Sequence, residues 1–93
     1  MAENKNLNRR AVAIKYTEGD SAPSVVASGK GYAADRIVEA GSAADKTVYE
    51  DRELVEELAR IELGLNIPSE LYEVVAKVLI FVERLEMQAM RRI

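Results

Sequence analysis

The chain contains no cysteine and no histidine. The first absence removes thiol nucleophiles, disulfides and thiolate metal sites. The second removes imidazole ligands and the one side chain whose ordinary pKa lies near neutrality. Long apolar runs are also missing. The longest, Val78–Val82, has five residues, whereas a bilayer-spanning helix needs roughly 20. Met1–Arg10 is polar and carries no apolar h-region, so it does not read as a secretory signal. A cytoplasmic protein without membrane insertion is expected, in keeping with the lack of cysteine. Aromatic residues make up only 5% of the chain, and 13 basic residues stand against 16 acidic ones, a net charge of -3. That balance excludes a nucleic-acid binder working by phosphate neutralisation or base stacking.

Apolar residues account for 48% of the 93 positions and charged residues for 31%, enough to build one small core and too apolar for a disordered tail. Residues 1–10 read as a flexible polar arm, 11–87 as a single domain, and 88–93 as a tail expected to fray. In Ala11-Val-Ala-Ile-Lys-Tyr16 the larger residues Val12, Ile14 and Tyr16 alternate with Ala11, Ala13 and Lys15, a strand pattern with the larger side chains toward the core. Turn formers fill Thr17–Pro23, and Ser24–Ser28 is a second short strand. Ala33, Ala34, Ile37 and Val38 recur at helical spacing over 32–40, with Gly41 placed for a left-handed C-cap. Lys46–Glu50 is β-prone, and strand, helix, strand at this spacing predicts a parallel βαβ crossover.

Asp51 is a suitable N-cap, with Leu54, Val55, Leu58 and Ile61 on one apolar face and Gly64 as the stop. Pro68 suits the first turn of the last helix. In that helix Leu71, Val74, Val75, Val78, Val82 and Leu85 form a stripe that marks the main packing element. The fold class is therefore α/β: a small mixed sheet of about three strands, three helices, a βαβ crossover and a long C-terminal helix.

Chemistry-bearing motifs are few. Gly29-Lys30-Gly31 fails as a phosphate loop, because Ser24 stands where the first glycine is needed and Gly31 where serine or threonine must follow the lysine. It reads as a turn before a helix. Residues 50–73 hold eight acidic side chains against Arg52 and Arg60. Within them Glu53, Glu56 and Glu57 form an acidic patch, read either as the solvated face of an amphipathic helix or as a surface for a basic partner. The serines have no histidine to activate them. Neither catalytic residues nor a cofactor or metal site is expected.

Three pieces together carry a resemblance: Ala11-Val-Ala-Ile-Lys-Tyr16; Ala22-Pro-Ser-Val-Val-Ala27 with Gly29 and Gly31; and Ile67-Pro-Ser-Glu-Leu-Tyr72 followed by Val75-Ala-Lys-Val-Leu79. Their order and spacing resemble the FlhB/YscU family, in the cytoplasmic C-terminal domain of the export-switch protein of flagellar and virulence type III secretion. The likeness runs from about residue 9 to residue 86. It implies a non-enzymatic interaction module located in the cytoplasm, peripheral to the export apparatus and involved in export or substrate-specificity switching. Implied partners are export-gate components, export substrates, the ruler protein and a truncated membrane-bound relative. A free-standing regulator that competes with the membrane-bound switch protein is the second reading.

Two departures from the family stand out. Where the family carries a self-cleaving Asn-Pro-Thr-His loop, this chain aligns Asn6-Leu7-Asn8-Arg9. Leu7 replaces the proline that favours attack by the asparagine amide, and Arg9 replaces the histidine, so no autocleavage is expected. The family's upstream strand and membrane helices have no counterpart here, so the chain corresponds to the post-cleavage fragment. A missing neighbour would leave the strand Ala11–Tyr16 with an open edge. That edge is open to a partner strand, or else is covered by the polar arm or by self-association.

Overall fold

The computed structural model describes residues 9–91. Among them the order is strand β1 (Arg10–Lys15), strand β2 (Ser24–Lys30), helix α1 (Tyr32–Ala43), helix α2 (Arg52–Leu58), a 3₁₀ turn (Ser69–Leu71) and helix α3 (Tyr72–Arg91). The α/β class, the three helices and the long C-terminal helix are as expected from sequence. Among the described residues the expected third strand and parallel crossover are not present: the sheet there has two strands, and they are antiparallel. The segment Lys46–Glu50 carries no strand pairing.

A bulge sets the two faces of the hairpin. Ala11 faces Gly29 and Ala13 faces Ala27, but the next pair is Ile14 with Val25, so Val26 is the extra residue. The skip sets Val25 on the face of Val12 and Ile14, where it is fully buried, while Val26 is left 49% exposed. Ala11, Ala13, Ala27 and Gly29 share the opposite face. These residues are small because α1 lies directly on them. A Cβ added at Gly29 would come 2.7 Å from the Cβ of Ala33 and 3.0 Å from its carbonyl carbon.

Gly31 then turns the chain into α1 at φ 64, ψ -125, a conformation glycine adopts at least cost. The Gly29-Lys30-Gly31 motif is thus a strand-to-helix turn, with one glycine needed for packing and the other for backbone shape. Helix α1 runs through Gly41 and ends in a Schellman closure, Lys46 N–H to Gly41 O at 2.8 Å and Asp45 N–H to Ser42 O at 3.0 Å. Asp45, at φ 61, takes the left-handed position expected for Gly41.

On the other face Val25, Leu58, Ile67 and Val75 form the core, with Val12, Ile14, Leu54, Ile61, Leu71 and Leu79 packed around them. Burying each side chain of this size contributes about 1.5–3 kcal/mol. The Asp51 side chain caps α2 by accepting the Leu54 N–H at 3.1 Å. Gly64 does not end α2, which stops at Leu58. It turns the chain at φ 86 and donates its N–H to Val25 O at 2.7 Å. Val25 N–H donates in turn to Leu65 O at 3.2 Å, and Ile67 N–H to Pro23 O at 2.9 Å. The second edge of β2 is therefore lined by residues 64–67 rather than by a strand from 46–50. Pro68 precedes the 3₁₀ turn, and the α-helix starts only at Tyr72.

The same substitution should have opposite signs at two glycines. Gly29→Ala forces α1 off the sheet and should lower stability by about 1–3 kcal/mol. Gly41→Ala, with nothing within 4 Å of the new methyl, should raise it by about 0.4–1 kcal/mol. Urea unfolding of the two variants checks both.

Candidate docking edge

The pairing pattern decides which way the backbone of β1 points. Gly31 N–H donates to Arg9 O at 2.7 Å, so residues 9, 11 and 13 direct their polar groups toward β2. The N–H and C=O groups of Arg10, Val12 and Ile14 point the other way. No third strand lies against them among the described residues. The side chains of Val12 and Ile14 pack on the core while their main chain forms an open edge. Charges stand only at the ends, Arg10 and Lys15, both exposed. Tyr16, expected on the core face, lies just past the strand and is 52% exposed.

Lys46–Glu50 is fastened to α3 instead of the sheet. Thr47 Oγ1 donates to Glu86 Oε2 at 3.2 Å. The rings of Tyr49 and Phe81 meet edge to face, centroids 5.9 Å apart and planes at 74°. This explains why a β-prone stretch forms no strand: its side chains are anchored, but its backbone has no ladder beside it.

A broad, open hollow of about 1800 Å³ is lined by β1 and the turn after it, by the second half of α1, by Lys46–Glu50, and by α2 and α3. Its walls are largely apolar, with Val12, Ile14, Leu54, Val75, Val78 and Leu79 among them. Helix α3 buries Val75 but leaves Ile80 and Phe81 about half exposed, at 51% and 49%. The stripe expected to be the main packing element thus covers the core mainly over its first turns, and Val74 and Leu85 are left more than one third exposed.

The structure separates the acidic patch from this edge. Glu53, Glu56 and Glu57 are all exposed on α2, and of the three only Glu56 reaches the cleft. Glu57 makes a loose ion pair with Arg60 at 3.8 Å, worth little in water. No group of acidic side chains able to hold a metal ion occurs among the described residues. Of the altered cleavage loop, Asn6, Leu7 and Asn8 lie outside the described residues. Arg9 is tied down, its guanidinium 3.0 Å from the Asp35 carboxylate on α1. Sequence reading does not reveal the uncovered side of α3. The signal was available in Val78–Val82, a run apolar on all sides of a helix that needs only one apolar stripe.

Cutting the anchor should loosen the far wall alone. In Phe81→Ala, amide exchange at Val48 and Tyr49 should quicken by about tenfold, while β2 exchange stays within a factor of about two.

Comparison with known proteins agrees with this architecture. Residues 6–82 match the model of the FlhB HrpN YscU SpaS family. The chain is 42% identical to Bacillus subtilis YlqH over 79 residues, which is 84% of this chain and 85% of that protein. It is 38% identical over 88 residues to the flagellar biosynthetic protein FlhB of Helicobacter pylori, and 41% identical over 83 residues to that of Escherichia coli. The matches take in 94% and 87% of this chain but only 25% and 22% of the FlhB proteins. In three dimensions it superimposes on a tyrosine-to-aspartate variant of the EscU C-terminal domain with TM-score 0.76 and 26% identity, over 83% of this chain and 94% of that one. No helix among the described residues is long and apolar enough to cross a membrane. The two-stranded sheet, the three helices and the match along most of its length establish that this chain belongs to the FlhB/YscU family and corresponds to its C-terminal domain.

Proposed function

We propose that this chain is a non-enzymatic protein-interaction module of the flagellar or type III export apparatus, acting in the cytoplasm at the export machinery. The observation that carries the reading is the extent of the likeness: it covers 94% of a solved EscU C-terminal domain and 87–94% of this chain against two FlhB proteins. The partners are export-gate components and export substrates, and the role is in export or in switching substrate specificity.

Two features favour a module that does not cut itself. Leu7 stands where the family's cleavage loop has proline. Arg9 stands in the place of its histidine, and a guanidinium offers only donors where an imidazole could accept a proton; here it pairs with Asp35. After long incubation at neutral pH, intact-mass measurement should give one species at the full-chain mass of 10.3 kDa. A pair of fragments summing to that mass would overturn the non-cleaving assignment.

Deleting the gene tests the role itself. Export of the system's secreted substrates should fall, with recovery when the gene is restored on a plasmid. Normal amounts exported in the normal order would reject the proposal. A change confined to the order of export would assign the competing-regulator role instead.

A further inference from the structure

We propose that the outer side of α3, together with the groove between it and Tyr49–Asp51, docks an amphipathic helix of a partner protein that carries a row of acidic residues along one edge. This goes beyond the export reading and does not rest on it. Val74, Val78, Phe81 and Leu85 follow one another in steps of four, three and four and form a seam along α3. Three of the four are exposed, and Val78 is half-buried. The line that packs on the core, through Leu71, Val75 and Leu79, runs about a quarter-turn away at 3.6 residues per turn.

The seam is hollowed rather than flat. Tyr49, Asp51, Val74, Lys77, Val78 and Phe81 line an open groove of about 310 Å³, and the edge-to-face contact of Tyr49 with Phe81 fixes its walls. Space of this size at the side of a helix receives the apolar anchors of a second helix. A bilayer surface takes apolar side chains that stand out from a convex face, and a groove does not present them so.

Charge selects the partner. Lys77 and Arg84 lie two turns apart and flank the seam on the side away from the core, both exposed. Glu73 stands one turn before Lys77 at 3.8 Å, a loose exposed pair worth little in water. From Lys77 to Gln88 the acidic residues of α3 are Glu83 and Glu86, and both fall away from the seam, Glu86 accepting from Thr47. On the other flank the Asp51 carboxylate already caps α2. The exposed edge is therefore basic, and the helix that suits it presents glutamate or aspartate there. A second α3 laid antiparallel on the seam would set Lys77 and Arg84 against the same pair of its copy. Helix α2 of a second copy is acidic but spans only seven residues.

The test titrates the ¹⁵N-labelled full chain with two capped peptides about 18 residues long, enough for a helix to form. Both have leucine at the a and d positions of a heptad; one has glutamate at e and g, the other lysine. The acidic peptide should bind at least about fivefold more tightly at low salt, with the difference shrinking as salt is added. Amide shifts should move at Tyr49, Lys77, Phe81 and Arg84 and stay in place at Ala27 and Gly29 beneath α1. No binding, equal affinity for the two peptides, or shifts centred on another surface would overturn the proposal.

In the double variant Lys77→Glu with Arg84→Glu, both changes exposed and clear of the core, the preference should reverse; an unchanged preference would equally reject the proposal. Two further outcomes count against it. Cosedimentation with vesicles of phosphatidylcholine and phosphatidylglycerol would assign the face to a membrane. A dimer in sedimentation analysis that Phe81→Ala dissociates would assign it to a second copy. The export phenotype is scored separately, so failure of either reading leaves the other intact.

Discussion

The fold depends on the backbone of β2 being paired on both sides. One edge takes β1. The other gives Val25 both of its main-chain bonds, from Gly64 and to Leu65, and Pro23 its bond from Ile67. A buried polar main chain without partners costs far more than a typical hydrogen bond contributes. The return of the chain after α2 is therefore what allows Val25 to be fully buried. Ile67, 1% exposed, enters the core on the same pass. Helices α2 and α3 are joined through this segment, so its docking on β2 sets where α3 starts and where the cleft opens.

Much of this was legible in the residues. The alternation in 11–16, the Asp51 cap and the apolar spacing of the three helices report local physics, and each element formed within a few residues of its expected place. Lys46–Glu50 was not legible, because β-propensity describes how well side chains suit a pleated surface and says nothing about whether a neighbouring strand exists to pair with. Gly41 misled for a similar reason. Glycine permits a left-handed cap but does not demand one, and here Asp45 supplies it, four residues after Gly41. The stripe on α3 was read correctly as apolar but wrongly as covered. Periodicity marks a face that water disfavours and leaves its partner unspecified.

The strand at 10–15 is legible in the alternation of its side chains, and the hollow beside it is not. Its second wall depends on Thr47 meeting Glu86 and Tyr49 meeting Phe81, contacts between residues more than thirty positions apart that no local pattern announces. The acidic patch shows the opposite case. It is conspicuous in composition, yet in space Glu53 and Glu57 face solvent away from the cleft.

The bulge at Val26 gives the hairpin a fixed phase. Sliding β1 by one residue along β2 would turn Val12 and Ile14 toward α1, where Gly29 and Ala33 already approach too closely to admit a methyl group, and would turn alanines toward the core. Slippage is thus blocked sterically on one side and by lost burial on the other. Any chain laid along the outer side of β1 meets donors and acceptors at set positions, and its register is dictated by packing on the far side of the sheet, which it never touches.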